Sequence, residues 1–200
     1  TILGGSGAQP GGVVVSCLAL LAATVQQQEK SMAFTVLSFS STEFTLVANG
    51  DTLVVPTNGL IYSNSGSGVI GSVYGTVVNY GDIIGSSYGI SIGSSSGTST
   101  ITIGTNGHVT GNTYGIVLNG STSIDNAGEI VGVFGVNVIS STANVTFTNS
   151  GIVRSTSSSY SGFNGIDTVI NSGRIMGNVG LLGGNDFYDG RGGTVVGFVN

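Results

Sequence analysis

VVNYGDIIG (residues 77–85), TIGTNGHVTG (102–111), SIDNAGEIVG (123–132), TFTNSGIVRS (146–155) and TVINSGRIMG (168–177) are five copies of one pattern. Aligned on Gly81, Gly107, Gly128, Gly151 and Gly173, they recur in steps of 26, 21, 23 and 22 residues. A period of this size marks a solenoid, in which each turn buries its apolar face only against its neighbours.

The columns of the alignment carry the physical argument. Two residues after the glycine stand Ile83, Val109, Ile130, Val153 and Ile175, all β-branched and suited to a stacked strand core. Two before it come Asn79, Thr105, Asn126, Asn149 and Asn171, a polar ladder, and two earlier again Val77, Ile103, Ile124, Phe147 and Val169, an apolar one. Four after it lie Gly85, Gly111, Gly132, Ser155 and Gly177, where a sharp bend or a positive φ would exclude a Cβ. A second short strand then recurs as YGISI (88–92), YGIVL (114–118) and FGVNV (134–138), and less cleanly as NGIDT (164–168) and VGLLG (179–183). The expected fold is all-β: a single-domain parallel β-helix of about six turns, right-handed as parallel crossovers usually are. Successive turns about 4.8 Å apart let stacked asparagines pass amide hydrogen bonds along the axis, over a rod of roughly 30 Å.

Composition narrows the function classes. Apolar residues make up 40% of the chain and charged ones 6%, with 36 glycines, far from the charged norm of a cytosolic globular protein. The net charge is -5 and the bases are Lys30, Arg154, Arg174 and Arg191, so no basic stripe exists to neutralise phosphates, and nucleic acid is not an expected partner. A single cysteine, Cys17, cannot build a disulfide framework or a cysteine metal site within the chain.

Residues 1–31 lie outside the repeat. The apolar run 13–25 is short for a membrane span and lacks the basic flank of a secretory signal, which leaves a capping helix or a non-native extension ahead of Met32. Residues 32–70 read as opening strands and a cap, with Asn49, Gly50 and Asp51 as a turn and Pro56 closing a strand-like run. Residues 71–182 are the coil, interrupted at 155–161 by a serine-rich insertion expected to form a solvated loop. Residues 183–200 form a glycine-rich edge.

That edge holds the one stretch with a recognisable mechanism, LGGNDFYDGRGGTVVG (182–197). Gly184, Asn185, Asp186 and Tyr188 match part of the nonapeptide G-G-x-G-x-D-x-U-x, with Tyr188 in the apolar position. Calcium takes six to eight oxygens, which glycine-exposed carbonyls and an aspartate supply. The segment resembles the RTX, or haemolysin-type, calcium-binding repeats of bacterial secreted proteins, and the coil before it resembles the parallel β-helix regions of bacterial surface proteins. The resemblance implies calcium held between successive turns, with Gly184, Asn185 and Asp186 as ligands and Asp189 near enough in sequence to join them. Leu181 and Leu182 replace the leading glycines, and Val195 stands where a second aspartate belongs, so this chain carries half of such a site.

One further column is charged: Asp82, His108, Glu129, Ile152 and Arg174 follow the registering glycines. Asp82, His108 and Glu129 could look like a metal or acid–base cluster, but the expected reading is a solvated outer face with His108 weakly held between two carboxylates. Asp125, Asp167, Glu129 and Arg154 fall in different columns, so no facing carboxylate pair is in evidence and no enzyme is expected. The expected role is a structural or adhesive module, extracellular or at the cell surface, ordered by calcium and contacting a glycan or other surface ligand. The alternatives are a polysaccharide lyase, epimerase or hydrolase, and a fibre subunit associating end to end through an open ladder edge.

Overall fold

The computed structural model describes residues 32–200. The apolar run at 13–25, Cys17 and Lys30 lie outside the described residues. Within them the chain forms 21 β-strands and no helix.

The strands stack on three faces. The first holds β1 (Phe34–Val36), β4 (Asp51–Val55), β7 (Gly75–Asn79), β10 (Ser99–Ile103), β13 (Thr122–Asn126), β16 (Val145–Asn149), β18 (Asp167–Asn171) and β20 (Phe187–Asp189). The second holds β2 (Phe39–Ser40), β5 (Leu60–Ser63), β8 (Asp82–Gly85), β11 (His108–Gly111), β14 (Glu129–Gly132), β17 (Ile152–Ser161), β19 (Arg174–Gly180) and β21 (Thr194–Val196). On the third lie β3 (Phe44–Leu46), β6 (Ser67–Gly71), β9 (Tyr88–Ile92), β12 (Tyr114–Leu118) and β15 (Phe134–Val138), continued by the far halves of β17 and β19. Every pairing is parallel and joins a strand to its counterpart one turn away, as in the ladders β4–β7 and β10–β13. Eight stacked strands on the first face make a parallel β-solenoid of about seven turns, one more than the glycine alignment predicts, because the turns begin at β1 and end at β21.

The core is the set of columns. Ile61, Ile83, Val109, Ile130, Val153, Ile175 and Val195 are in register along the second face, and those from Ile61 to Ile175 are fully buried. Leu53, Val77, Ile101, Ile124, Phe147 and Val169 do the same on the first. Each such side chain contributes about 1.5–3 kcal/mol by leaving water, which it can do only because a neighbouring turn covers it.

The corner between the first and second faces comes in two lengths. After β7, β13, β16 and β18 it has two residues, the sequence Asn-x-Gly; after β4, β10 and β20 it has four, 56–59, 104–107 and 190–193. In two of the short corners the asparagine side chain closes the bend, Oδ1 of Asn79 accepting from Gly81 N–H at 3.1 Å and Oδ1 of Asn126 from Gly128 N–H at 3.2 Å; in the next two, Gly151 and Gly173 N–H donate instead to the Asn126 and Asn149 carbonyls one turn earlier. In the long corner the backbone closes itself, Gly59 N–H to Pro56 O and Gly107 N–H to Gly104 O, both at 2.8 Å. No asparagine is needed there, and Val55 and Ile103 occupy its place in the ladder. The glycine is needed in both. Its carbonyl accepts the N–H that follows the next turn's glycine, so a Cβ on Gly128 would strike Gly107 O and one on Gly151 would strike Gly128 O.

Three sequence expectations are corrected. Ile103, not Thr105, stands in the asparagine column, and Ile101 stands in the apolar column assigned to Ile103; the two extra corner residues shift that repeat by two, and Thr105 is exposed on the bend. Residues 155–161 are not an inserted loop but the continuation of β17, whose Tyr160 pairs with Val136 and Val179 and is fully buried. NGIDT therefore belongs to the approach to β18 on the first face, not to the second short strand. The second glycine column excludes a Cβ as expected, by a positive φ at Gly177 and by close approach at the bend for Gly85 and Gly111, where a Cβ would meet the carbonyl of Tyr88 or Tyr114.

Candidate functional site

Gly184, Asn185 and Asp186 form the bend leading into β20, with Gly184 at φ +139, a conformation that favours glycine. Asp186 sits directly above Asp167, and its Oδ1 accepts the Asp167 N–H at 2.9 Å. This contact belongs to a series along the same corner. Asp51 Oδ1 takes Ala33 N–H at 2.9 Å, Ser99 Oγ takes Gly75 N–H at 3.4 Å, and Asp167 Oδ1 takes Val145 N–H at 3.2 Å. In each case a polar side chain reaches back one turn and satisfies the amide at the start of the strand beneath it. Asp189 lies at the other end of β20, where its carboxylate holds the Arg191 guanidinium, with Nε at 2.9 and 3.0 Å. Those bonds hold the Asp189 carboxyl down at about 2. Gly184, Asn185 and Asp186 are thus brought together and Asp189 is not. Among the described residues no three His, Cys, Asp or Glu side chains are gathered closely enough to hold a metal ion. One carboxylate falls well short of the six to eight oxygens calcium takes, so the residues of this bend do not by themselves fit a complete site.

The charged column is real as a register: Asp82, His108, Glu129, Ile152 and Arg174 are cross-strand neighbours. Glu129 turns to Arg154, whose Nε donates at 3.0 Å, and His108 Nδ1 lies 3.5 Å from the other Glu129 oxygen. Half-exposed ion pairs of this kind contribute about 0–1 kcal/mol. Asp125 is exposed on the first face and Asp167 is buried in the core, so the four side chains weighed for carbohydrate chemistry occupy three separate environments.

A buried ionisable pair escaped the sequence reading. Tyr160 stacks on Phe147 with ring centroids 5.8 Å apart, and its hydroxyl faces Asp167. Neither Tyr160 Oη nor Asp167 Oδ2 makes a well-formed hydrogen bond to any described group, yet each acts on the other's ionisation. Burial, then the Asp167 charge, pushes the phenol above its ordinary range. Burial also raises the Asp167 carboxyl, against the lowering pull of Tyr160 and the Val145 amide, and Asp186 adds to the rise. The only signal in the sequence was an aromatic inside a serine run.

The chain matches no family model, no curated protein and no solved structure. Among the described residues no helix is long and apolar enough to cross a membrane.

Proposed function

We propose that this β-solenoid is a structural module of the cell surface or the secreted space, a rigid stalk or adhesive spacer whose C-terminal bend is ordered further by calcium. The observation that carries the reading is the uninterrupted stack: about seven turns with a dry core along every face and only a thin scatter of charge. A rod of this kind transmits position and force along its axis, and its backbone amides are consumed in turn-to-turn ladders that a protease cannot engage without unfolding a turn. The left-handed glycine at 184 and the aspartate at 186 support the calcium part, with the remaining oxygens coming from outside this bend.

Thermal melts with and without millimolar calcium, on this chain and on Asp186→Ala, test the calcium part: a calcium-dependent rise in Tm that Asp186→Ala abolishes is expected, and equal melts in all four conditions remove calcium from the account. Digestion with proteinase K at room temperature tests the rod. A core of residues 34–196 should persist, and rapid cleavage within the stacked turns would refute a mechanical role.

A further inference from the structure

The two corner lengths leave a notch in the solenoid wall. The short corner Tyr80–Gly81 lies between the long corners 56–59 and 104–107, each two residues longer, which stand up on either side of it. Since one turn separates it from each neighbour, the walls are about 10 Å apart. The notch encloses about 290 Å³ and is lined by Thr57, Asn58, Tyr80, Asp82, Asn106 and His108. We propose that it is a saccharide-binding site that takes the ring of a neutral hexopyranoside.

Its floor is an aromatic with no core role. Tyr80 is 43% exposed, while the equivalent residues of the other short corners are Ala127, Ser150 and Ser172. Its ring rests on Gly104, where a Cβ would lie 2.7 Å from Cε1, so the neighbouring corner leaves room for it. A pyranose offers an apolar, slightly positive C–H face, which suits the negative face of an aromatic ring. The walls match the rest of such a ligand. Asn58 is held at φ +62 by its corner, and the side chains of Asn58, Asn106 and Asp82 make no hydrogen bond to any described residue. Two amides, a carboxylate and an imidazole supply the mixed donors and acceptors that vicinal hydroxyls require. No Lys or Arg lines the notch, and Asp82 repels anions, which argues against phosphates, uronic acids and sulfated sugars. A lone carboxylate is too few for a divalent cation. This site is independent of the proposed role at the cell surface and of calcium.

Saturation-transfer NMR with the methyl glycosides of glucose, galactose, mannose and N-acetylglucosamine, and with methyl glucuronoside as the anionic comparison, tests it. Transfer to at least one glycoside is expected, with a Kd on the order of 1 mM. Tyr80→Ser, which installs the residue other short corners carry, should weaken that binding at least tenfold with Tm nearly unchanged. If Tyr80→Ser alters the melt, Asp82→Asn carries the test and should weaken binding as well. No transfer to any of the four glycosides, transfer undiminished in both variants, or preference for glucuronate over the neutral sugars would overturn the proposal.

Discussion

The short corners of the C-terminal half and the long corners of the N-terminal half solve one bend in two ways. Asn126, Asn149 and Asn171 are stacked without interruption, Asn126 Nδ2 donating to Asn149 Oδ1 at 2.7 Å and Asn149 Nδ2 to Asn171 Oδ1 at 2.8 Å. Nearer the N-terminus Asn79 stands between Val55 and Ile103, so its Nδ2 turns to the backbone of the next turn, His108 O at 3.0 Å. Where the chain has two residues fewer to make the corner, the side-chain amide of Asn79 or Asn126 replaces the missing backbone bond, and at Asn149 and Asn171 the glycine N–H is taken by the carbonyl of the asparagine one turn earlier. At 56–59 and 104–107, where it has two more, the ladder position reverts to an aliphatic residue, Val55 or Ile103, and the bend projects outward. A solenoid can therefore vary its outer relief one turn at a time without disturbing the columns inside.

The comparison breaks most severely at the glycines, which both corner types share. Gly128→Ala puts a methyl against the Gly107 carbonyl and displaces the Glu129 N–H bound to it, so a loss of about 3 kcal/mol or more is expected by chemical denaturation. Asn149→Ala comes next. It strips a partner from Asn126 and another from Asn171, both buried, and should cost about 2–3 kcal/mol, whereas Asn79→Ala, outside the ladder, should cost about 1 kcal/mol less. Equal losses at the two positions would mean that the ladder adds nothing beyond what one buried asparagine outside it contributes.

A smaller effect follows from Asp167, the buried carboxyl that begins β18. Its folded-state value lies above its unfolded one, so the native chain holds the proton more tightly. The stabilisation is complete below the unfolded value of about 4 and is lost as pH rises through the folded value. Asp167→Asn keeps the acceptor for Val145 and removes the ionisation, so it should raise Tm by a few degrees at pH 7 and leave it unchanged near pH 3. A variant that melts lower at pH 7 would show that the charge is stabilising. The smallest effect is expected from rebuilding one corner as the other: Ile103→Asn with deletion of Thr105 and Asn106 converts a long corner into Asn-x-Gly and should shift stability by less than about 1 kcal/mol while erasing one wall of the notch at Tyr80.

Much of this fold was legible because a stacked column constrains residue type at every turn. Ile83, Val109, Ile130, Val153 and Ile175 announced themselves by β-branching, and the asparagines by recurring two residues before a glycine. The legibility failed where two residues could be added without changing the columns, as at Thr105 and Asn106, since alignment on the glycine carried the error back into Ile103. It failed again at Tyr160, because a run of serines reads as loop when the single large side chain holding it in the core is not aliphatic. The candidate site was less legible than the fold. Gly184, Asn185 and Asp186 do share one bend, but Asp189 lay three residues along a strand, beyond reach of that bend and beside Arg191. The notch at Tyr80 arises from the difference between adjacent corners, which no single repeat displays.

The account rests on turns rising by one strand spacing along a common axis. Spin labels on the outward positions of the first face measure this directly by pulsed electron resonance, with Thr52 paired in turn with Ser123, Thr146 and Thr168, three, four and five turns away. The distances should lengthen in equal increments of about 4.8 Å per turn. Distances that stay level, or that grow by unequal steps, would contradict the stack.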